Sequence, residues 1–304
     1  MLKVKFSEIV DVTKIGSADN PISMNNLLLK ANNNQLSASQ NDKEKILLLI
    51  IDMQNDFMEQ GSLAVQNSHS DVKNLASWIY KNIDKITDIA ISLDTHQPLQ
   101  IFHPSWWVDE NGKHPDPFTV ITKEDIENKK WRAVQCEKES YEYVKGLESK
   151  GKKKLVIWTY HCLQGTFGNA IENQLSNIIY FHSTVRNSVL IRLVKGQDPL
   201  SEMYGIIKAE YDPENKINTD FLNKLKKYDK IVIAGEAKSH CVSESIKQIV
   251  DYFDENNINK LKNIYILEDC MSNITGFEAE SEKEFKNFKE NNHLNIVKST
   301  TYKL

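Results

Sequence analysis

From residue 46 onward, short apolar segments alternate with longer amphipathic ones. The first apolar segment, ILLLII (Ile46–Ile51), contains no polar residue. Such continuity is typical of a strand buried on both faces of a parallel sheet. In the next segment, Asp71–Ile86, the residues Leu75, Ile79 and Ile83 recur at helical spacing. The chain therefore begins its ordered core with a buried strand followed by an amphipathic helix.

The same alternation continues to residue 299. Further strands are predicted at DIAISLD (88–94), VLIRLVKG (189–196), KIVIAGE (230–236), NIYILED (263–269) and LNIVKS (294–299). Further helices are predicted at 219–228 (with Thr219 as N-cap), 241–253 and 278–289. Repeated strand–helix units predict an α/β fold, a doubly wound and mostly parallel sheet in a Rossmann-like three-layer arrangement. Ligands of such sheets bind beyond the carboxyl ends of the strands.

Two segments do not fit the alternation. Residues 1–44 are polar and rich in Asn, Ser and Gln, which predicts an N-terminal arm or linker before one domain at 45–304. Residues 97–151 follow the second strand, contain HPSWW and HPDPF, and are rich in turn signals. We interpret them as a long insertion.

Composition excludes several classes of protein. A net charge of −4 gives no broad basic field, which argues against nucleic acid and anionic membrane surfaces as partners. The longest apolar run has six residues, far fewer than the roughly 20 that span a bilayer. We see no signal peptide, and four irregularly spaced cysteines do not form a disulfide framework. A reducing cytoplasm is the expected compartment.

Three polar residues at predicted strand ends are candidates for catalysis. Asp52 directly follows the first strand, where partial burial raises a carboxyl pKa and suits a general base. Cys241 opens a predicted helix, whose N-terminal N–H groups favour a thiolate. Lys195 could hold Asp52 ionised and lower the Cys241 pKa. The alternatives are a capping aspartate, a buried structural cysteine and a solvated surface lysine.

Asp94, His96 and His161 are candidates for a metal site. One carboxylate and two imidazoles suit Zn, Fe or Mn with positions left open for water or substrate. His103, in the loop beyond His96, is a further candidate ligand or supporting group. The alternative for each histidine is a loop residue that binds nothing.

Five segments, taken in order, resemble the motifs of one known family. These are IIDMQNDF (50–57), SLDTH (92–96), WTYHCLQGT (158–166), LVKG (193–196) and GEAKSHCV (235–242). They resemble, in this order, the motifs of nicotinamidase-like cysteine hydrolases of the isochorismatase superfamily. The resemblance spans about Ile46 to Lys298, so it covers most of the chain and implies an isochorismatase-like hydrolase domain.

The resemblance implies a role for each matching residue. Asp52 would be the general base, Lys195 its partner and Cys241 the nucleophile. Backbone N–H groups of Ala237 and Cys241 would form the oxyanion hole, with a cis peptide bond between Glu236 and Ala237. The other implied site residues are the aromatic walls Phe57 and Trp158 and the metal ligands Asp94, His96 and His161, with His103 as a further candidate. His240, although adjacent to Cys241, is expected to have no catalytic role.

The activity implied is cysteine-dependent hydrolysis of a small carboxamide through a thioester. Nicotinamide, giving nicotinic acid and ammonia, is the leading substrate, with a divalent metal, Zn before Fe or Mn, as cofactor. Two alternatives stay open, namely a metal-independent hydrolase of an N-carbamoyl or ureido compound and a non-catalytic metal-binding relative. Isochorismatase-type vinyl-ether hydrolysis is disfavoured, because those members lack the cysteine. Relatives form dimers or larger assemblies, so a homo-oligomer is also expected.

Overall fold

The central sheet has six strands, and every strand pair in it is parallel. The computed structural model describes residues 2–149 and 154–304. The sheet strands are β1 (Ile46–Ile51), β2 (Asp88–Asp94), β7 (Ile191–Lys195), β8 (Lys230–Gly235), β9 (Ile264–Leu267) and β10 (Asn295–Val297). Four two-residue strands lie outside it: β3 (Trp107–Val108), β4 (Val120–Ile121), β5 (Arg132–Ala133) and β6 (Leu155–Val156).

The strand order is β10-β9-β8-β1-β2-β7. From β1 the chain proceeds outward through β2 to β7, then returns to the other side of β1 and proceeds outward through β8 to β10. The strand order therefore reverses between β1 and β8, and ligand sites of doubly wound sheets lie at this crevice. Asp52 follows β1 and the Cys241 turn follows β8, so these two predicted catalytic residues flank the crevice.

Strand β1 lies in the middle of three layers. Its six side chains are all buried, and they alternate between the two hydrophobic cores on opposite faces of the sheet. Burial of one leucine or isoleucine side chain contributes roughly 1.5–3 kcal/mol, so the six residues of this strand contribute roughly 9–18 kcal/mol before the entropic cost of ordering the chain. The continuous apolar run is therefore explained by burial on both faces.

Helices cover both faces of the sheet. They are α1 (Met24–Asn32), α2 (Ser68–Lys81), α3 (Lys123–Glu127), α4 (Glu137–Ser149), α5 (Asn173–Val185), α6 (Thr219–Leu225), α7 (Ser243–Glu255) and α8 (Glu278–Glu290). Helices α1, α2 and α5 contribute to one core, and α4, α6, α7 and α8 to the other. Within the described ranges, no helix is long and apolar enough to cross a membrane.

Helix α6 differs from its prediction at both ends. The N-cap is Asn218, whose Oδ1 accepts from the Phe221 N–H at 3.1 Å, and Thr219 is the first helical residue. The predicted cap was therefore wrong by one residue, because Asn and Thr are both good caps and stand side by side. The helix ends at Leu225, three residues before its predicted end.

Residues 2–44 pack along the layer formed by α2 and α5. Helix α1 lies against α5, and the arm buries apolar side chains such as Ile9 and Leu27 in that core. The guanidinium of Arg186 donates to both carboxylate oxygens of Asp42, at 2.6 and 2.5 Å. This buried ion pair fixes the end of the arm to the end of α5.

The predicted insertion builds one wall over the carboxyl end of the sheet. It contains α3, α4 and the short strands β3, β4 and β5, and its last predicted residues, 150–151, lie outside the described residues. The segment KLVIWTY (154–160) does not join the main sheet. Its strand β6 pairs antiparallel with β4, which brings Trp158 and His161 to the sheet edge that carries Asp52.

Candidate active site

Asp52 is completely buried immediately after β1. Its backbone has φ = +42°, a left-handed conformation that turns the chain out of the strand. Ser92, on the neighbouring strand β2, accepts from the Asp52 N–H at 3.0 Å and donates its hydroxyl to Asp52 Oδ1 at 2.5 Å. The serine thus fixes the orientation of the carboxylate and leaves Oδ2 directed at other groups.

Lys195 connects the two other predicted catalytic residues with the predicted metal ligand Asp94. Its Nζ lies 2.9 Å from Asp52 Oδ2, 3.0 Å from Asp94 Oδ1 and 3.6 Å from Cys241 Sγ. It also donates to the Met203 carbonyl at 3.0 Å. Burial disfavours the ammonium form, but the two carboxylates outweigh burial and raise the pKa of Lys195 well above its usual value. The lysine is therefore a fixed cation, the opposite of a solvated surface lysine.

Gly196 makes room for this arrangement. Its φ is +73°, and a Cβ at this position would lie 2.5 Å from His96 Cε1 and 2.6 Å from Asp94 Oδ1. Any other residue would displace the candidate metal ligands. The glycine after Lys195 is thus required by close approach and by its positive φ.

Cys241 lies in a helical turn, Lys238–Val242, between β8 and α7. The peptide bond between Glu236 and Ala237 is cis, as predicted. Cys241 Sγ lies within 4.8 Å of one carboxylate oxygen of Asp52 and one of Asp94. Three strand ends therefore bring a thiol, a carboxylate and an ammonium group into contact range.

Burial governs the proton affinities of Cys241 and Asp52. It raises the pKa of the Cys241 thiol well above its usual value, and nearby Lys195 offsets only part of this effect. Lys195 lowers this pKa as predicted, but its effect is smaller than that of burial, because the turn is buried more deeply than its sequence indicated. Burial also raises the pKa of Asp52, as predicted, and again outweighs Lys195. The resting pair therefore holds its proton on sulfur, next to a carboxylate of increased basicity.

A small cavity opens beside Cys241. The space between its walls, including the mouth, measures about 420 Å³. A space of this size admits a small molecule and not a folded macromolecular substrate. The walls include the predicted aromatic residues and oxyanion-hole residues, and they are Phe57, Leu63, Asp94, His96, Phe102, Trp158, His161, Glu202, Met203, Tyr204, Ala237, His240, Cys241 and Ile274.

Asp94, His96 and His161 form a buried cluster suited to a metal ion. Each offers one ligand atom, and these atoms lie within 4.8 Å of one another. Nδ1 of His96 lies 3.0 Å from the Gly196 carbonyl, and Nδ1 of His161 lies 2.8 Å from the Thr159 carbonyl. Both Nε2 atoms therefore face Asp94, at 2.9 and 3.7 Å from its Oδ2. Backbone carbonyls orient metal-binding histidines in this way, so the donor set fits a divalent ion.

The charge of Asp94 suits the same role. Burial opposes its ionisation, but His96 and Lys195 outweigh burial and hold the pKa of Asp94 well below its usual value. Gln54 fixes the residue further, because its side-chain amide accepts from the Asp94 N–H at 2.8 Å and donates to the Asp94 carbonyl at 2.7 Å. An anionic, rigidly held carboxylate is the ligand type that divalent metals prefer.

His103 lies next to the cluster and outside its tightest group. Its ring centre is 5.9 Å from that of His96 and 6.2 Å from that of His161. Burial, together with these two rings, lowers the pKa of His103 to about 3, so the imidazole is neutral. The backbone groups of Gln97 and Pro98 oppose this lowering, and their effect is smaller. His103 therefore keeps the form of a metal ligand, although a side-chain shift would be needed to complete the set.

The chain resembles several solved structures in its fold. An Acinetobacter baumanii nicotinamidase aligns with a TM-score of 0.57 and 17% identity, over 86% of this chain and 99% of its own. The yeast nicotinamidase aligns with a TM-score of 0.57 and 17% identity, over 83% of this chain and 99% of its own. PnC1 of L. infantum, in complex with nicotinate, aligns with a TM-score of 0.53 and 15% identity, over 88% of this chain and 97% of its own. The chain has the fold of the nicotinamidases.

This likeness confirms the predicted α/β fold class and the resemblance at the level of the fold. Neither a family model nor a curated protein sequence matches the chain. The first two alignments cover 99% of each nicotinamidase and leave 14% and 17% of this chain outside them.

Several wall residues were not predicted from the sequence. Glu202 and Tyr204, in the loop after β7, both accept from the indole N–H of Trp158, the tyrosine at 3.2 Å. They hold the ring of Trp158 in the wall of the cavity. His240, which we expected to have no catalytic role, packs edge-on against Trp158 with ring centres 5.6 Å apart and lines the cavity too. Loops have no hydrophobic periodicity, so the sequence pattern does not indicate which of their residues line a cavity.

We expect the purified protein to bind about one Zn²⁺ per chain at this cluster. His161→Ala should weaken binding by more than the roughly 10–100-fold that loss of a supporting partner costs. Titration with zinc in the presence of a competing chelator measures this affinity. His114→Ala, which changes an exposed histidine of the insertion, should leave the affinity unchanged. Failure of the folded wild type to bind zinc would contradict the assignment, and the effect of His103→Ala would decide whether that residue is a ligand.

Proposed function

We propose that the chain is a cysteine-dependent amidohydrolase that converts nicotinamide into nicotinic acid and ammonia. The observation that carries the proposal is the convergence of Asp52 and Lys195 on Cys241, which lines one small cavity at the crevice between β1 and β8. A buried thiol next to a carboxylate and a fixed cation fits the pattern of nucleophile, base and orienting group. An ordinary core cysteine has no such neighbours.

In the first step, Asp52 takes the thiol proton while Cys241 Sγ attacks the carboxamide carbon. Because burial raises the pKa of both groups, their proton affinities stay comparable, and transfer between them is easier than between unperturbed groups. Lys195 stays protonated throughout and stabilises the negative charge as it moves from carboxylate to sulfur. A new C–S bond and a tetrahedral oxyanion result.

In the second step, the C–N bond breaks and the departing nitrogen receives the proton from Asp52. Backbone N–H groups of Ala237 and Cys241 would hold the oxyanion until the bond breaks, and one such donor supplies about 3 kcal/mol of transition-state stabilisation in comparable hydrolases. Ammonia leaves, and a thioester remains on Cys241. Asp52 then deprotonates a water molecule, which attacks the thioester and releases the acid and the thiol.

The cavity walls favour a flat, uncharged amide. Phe57 and Trp158 provide aromatic surfaces for a planar ring. The lining contains two carboxylates, Asp94 and Glu202, and neither arginine nor lysine. The ammonium group of Lys195 lies beside Cys241 but is already paired with Asp52 and Asp94. A ureido or N-carbamoyl compound that bears a carboxylate would find no arginine or lysine among these wall residues. The composition therefore supports nicotinamide over that alternative.

Solved relatives of the fold agree with this choice of ligand. The yeast nicotinamidase has been solved with the inhibitor nicotinaldehyde, and the L. infantum protein with nicotinate. In this chain, Asp94, His96 and His161 would hold a divalent ion, which would supply a Lewis-acidic contact for a ring nitrogen of the substrate.

The test is ammonia release by the purified, zinc-loaded protein from three compounds. Nicotinamide should be hydrolysed, and benzamide, which lacks the ring nitrogen, should be hydrolysed at least about tenfold less efficiently. N-carbamoylglycine, an anionic ureido compound, should release no ammonia. No release from nicotinamide by folded, metal-loaded protein would exclude this substrate. A Cys241 that also fails to react with iodoacetamide would instead support a non-catalytic metal-binding protein.

A further inference from the structure

Two buried carboxyl groups meet directly behind the turn that carries the nucleophile. Glu236, between Gly235 and Ala237, is completely buried and faces Asp71 of α2, which is 5% exposed. The two carboxyl groups lie within hydrogen-bonding contact of each other. When both are ionised, Glu236 Oε1 has no donor within reach. A proton on one carboxyl converts the contact into an O–H···O hydrogen bond, so this arrangement requires one proton for two acids.

Ser272 connects this pair to the catalytic turn. Its hydroxyl donates to Asp71 Oδ2 at 2.6 Å, and its N–H donates to Glu236 Oε2 at 3.1 Å. Its carbonyl accepts from the N–H of Lys238, the residue after Ala237, at 2.8 Å. The two acids therefore fix both sides of the turn, and Ile274, two residues beyond Ser272, lines the cavity.

The surroundings keep one proton on the pair at neutral pH. Burial and the neighbouring Asp71 raise the pKa of Glu236 well above its usual value, and burial raises the pKa of Asp71 to about 6. The other charged groups acting on Asp71 are Asp269, in the turn after β9, and Glu59, in the loop before α2, and both are acidic. The buried thiol of Cys270 is also close, and Asp71 contributes to the rise in its pKa. None of these groups favours a second negative charge.

We propose that Glu236 and Asp71 share one proton and act as positioning residues, which hold the turn of Ala237 and Cys241 in its reactive conformation. This proposal rests on the amide hydrolysis proposed above, because that reaction uses Cys241 as the nucleophile and the N–H groups of the turn as the oxyanion hole. Loss of the shared proton at high pH places two charges in a buried site and loosens the turn. The reactivity of Cys241 should then decline for a reason unrelated to its own ionisation.

The sign of the pH dependence follows from proton linkage. Glu236 binds its proton more tightly in the folded chain than in the unfolded chain. The unfolded chain therefore loses this proton first, and stability falls as pH rises from the unfolded pKa through the folded pKa. Glu236→Gln removes this loss, because the amide N–H donates to Asp71 at any pH. Asp71→Asn also leaves one acid and should have the same effect.

The first experiment measures the thermal unfolding midpoint between about pH 6 and about pH 9. The wild type should lose stability relative to Glu236→Gln and Asp71→Asn as pH rises. If the unfolding midpoints of the three proteins change with pH in the same way, the proposal of a shared proton is wrong. This measurement needs no substrate, so it stands even when the proposed activity fails.

The second experiment measures alkylation of Cys241 by iodoacetamide over the same range, with Cys136→Ser in every protein because Cys136 is exposed. The ratio of the Glu236→Gln rate to the wild-type rate should be near one at low pH. Above the second ionisation of the pair it should rise by up to about tenfold per pH unit. Dividing one rate by the other cancels the ionisation of Cys241, which both proteins share.

A matched control distinguishes positioning from general stability. Glu172 is another completely buried acid, at the start of α5, and burial raises its pKa as well. Glu172→Gln should change the pH dependence of unfolding and leave the alkylation ratio constant. A constant ratio for Glu236→Gln, despite altered stability, would overturn the positioning role. Where nicotinamide is turned over, kcat/KM should follow the alkylation ratio. If the alkylation ratio rises but nicotinamide is not turned over, nicotinamide is excluded as the substrate and the positioning role of Glu236 and Asp71 is still supported.

Discussion

Replacing Cys241 with alanine should abolish ammonia release from nicotinamide, with a loss of at least about 10³-fold in kcat. The reason is chemical, since no other group in the cavity wall can form the thioester. Alanine fits the same buried position without a clash, so the variant should fold and keep its zinc. Ammonia release and bound zinc, measured on the same preparation, separate lost chemistry from lost structure.

Cys162 provides the matched control for this substitution. It is also buried, and it adjoins the candidate ligand His161, but its sulfur faces the Gly168 carbonyl at 3.9 Å. Cys162→Ala should keep most of the activity. A Cys241→Ala protein that still releases ammonia at a rate close to that of the wild type would exclude the thioester mechanism.

Lys195→Met should remove activity and stability together. Methionine fills a similar volume, but it leaves Asp52 and Asp94 buried next to each other without a cation. Removal of one partner from a buried ion pair costs roughly 3–5 kcal/mol. We therefore expect the unfolding midpoint to fall by roughly 10 °C and kcat to fall by about 10³-fold or more. Differential scanning calorimetry and ammonia release measure the two effects.

A double variant tests whether these two losses share one cause. In Asp52→Asn/Lys195→Met, one of the uncompensated charges is also removed, so much of the stability should return while activity stays absent. Equal stability of the single and double variants would mean that the ion pair does not stabilise the fold. Activity in Lys195→Met would exclude the lysine from the mechanism.

Polar residues that follow apolar strands were predictable because strand ends expose them at one edge of a parallel sheet. Asp52, Asp94 and Lys195 each follow or end a strand, and β1, β2 and β7 are neighbours in the sheet. Their contact follows directly from that order. Ser92 was detectable in principle as a polar residue within an apolar strand, and its hydroxyl binds Asp52.

Other parts of the site depend on distances that no pattern encodes. The net direction of the Cys241 pKa shift was not predictable, because burial of its turn, which packs against α7 and α8, outweighs the effect of the nearby lysine. Glu202 and Tyr204 reach the cavity from a loop whose path depends on Lys195 holding the Met203 carbonyl. The pairing of Glu236 with Asp71 joins residues far apart in the chain, and hydrophobic periodicity does not register it.

The reversal of strand order also determines how the chain can reach its native state. Strand β1 pairs with β2 soon after both emerge from the ribosome, but its other edge waits for β8, about 180 residues later. Until then ILLLII presents an unpaired apolar edge, the kind of segment that associates with other chains. Contacts of such long range slow folding. Chaperone assistance and low expression temperature should therefore increase the yield of native protein, whatever substrate the finished site accepts.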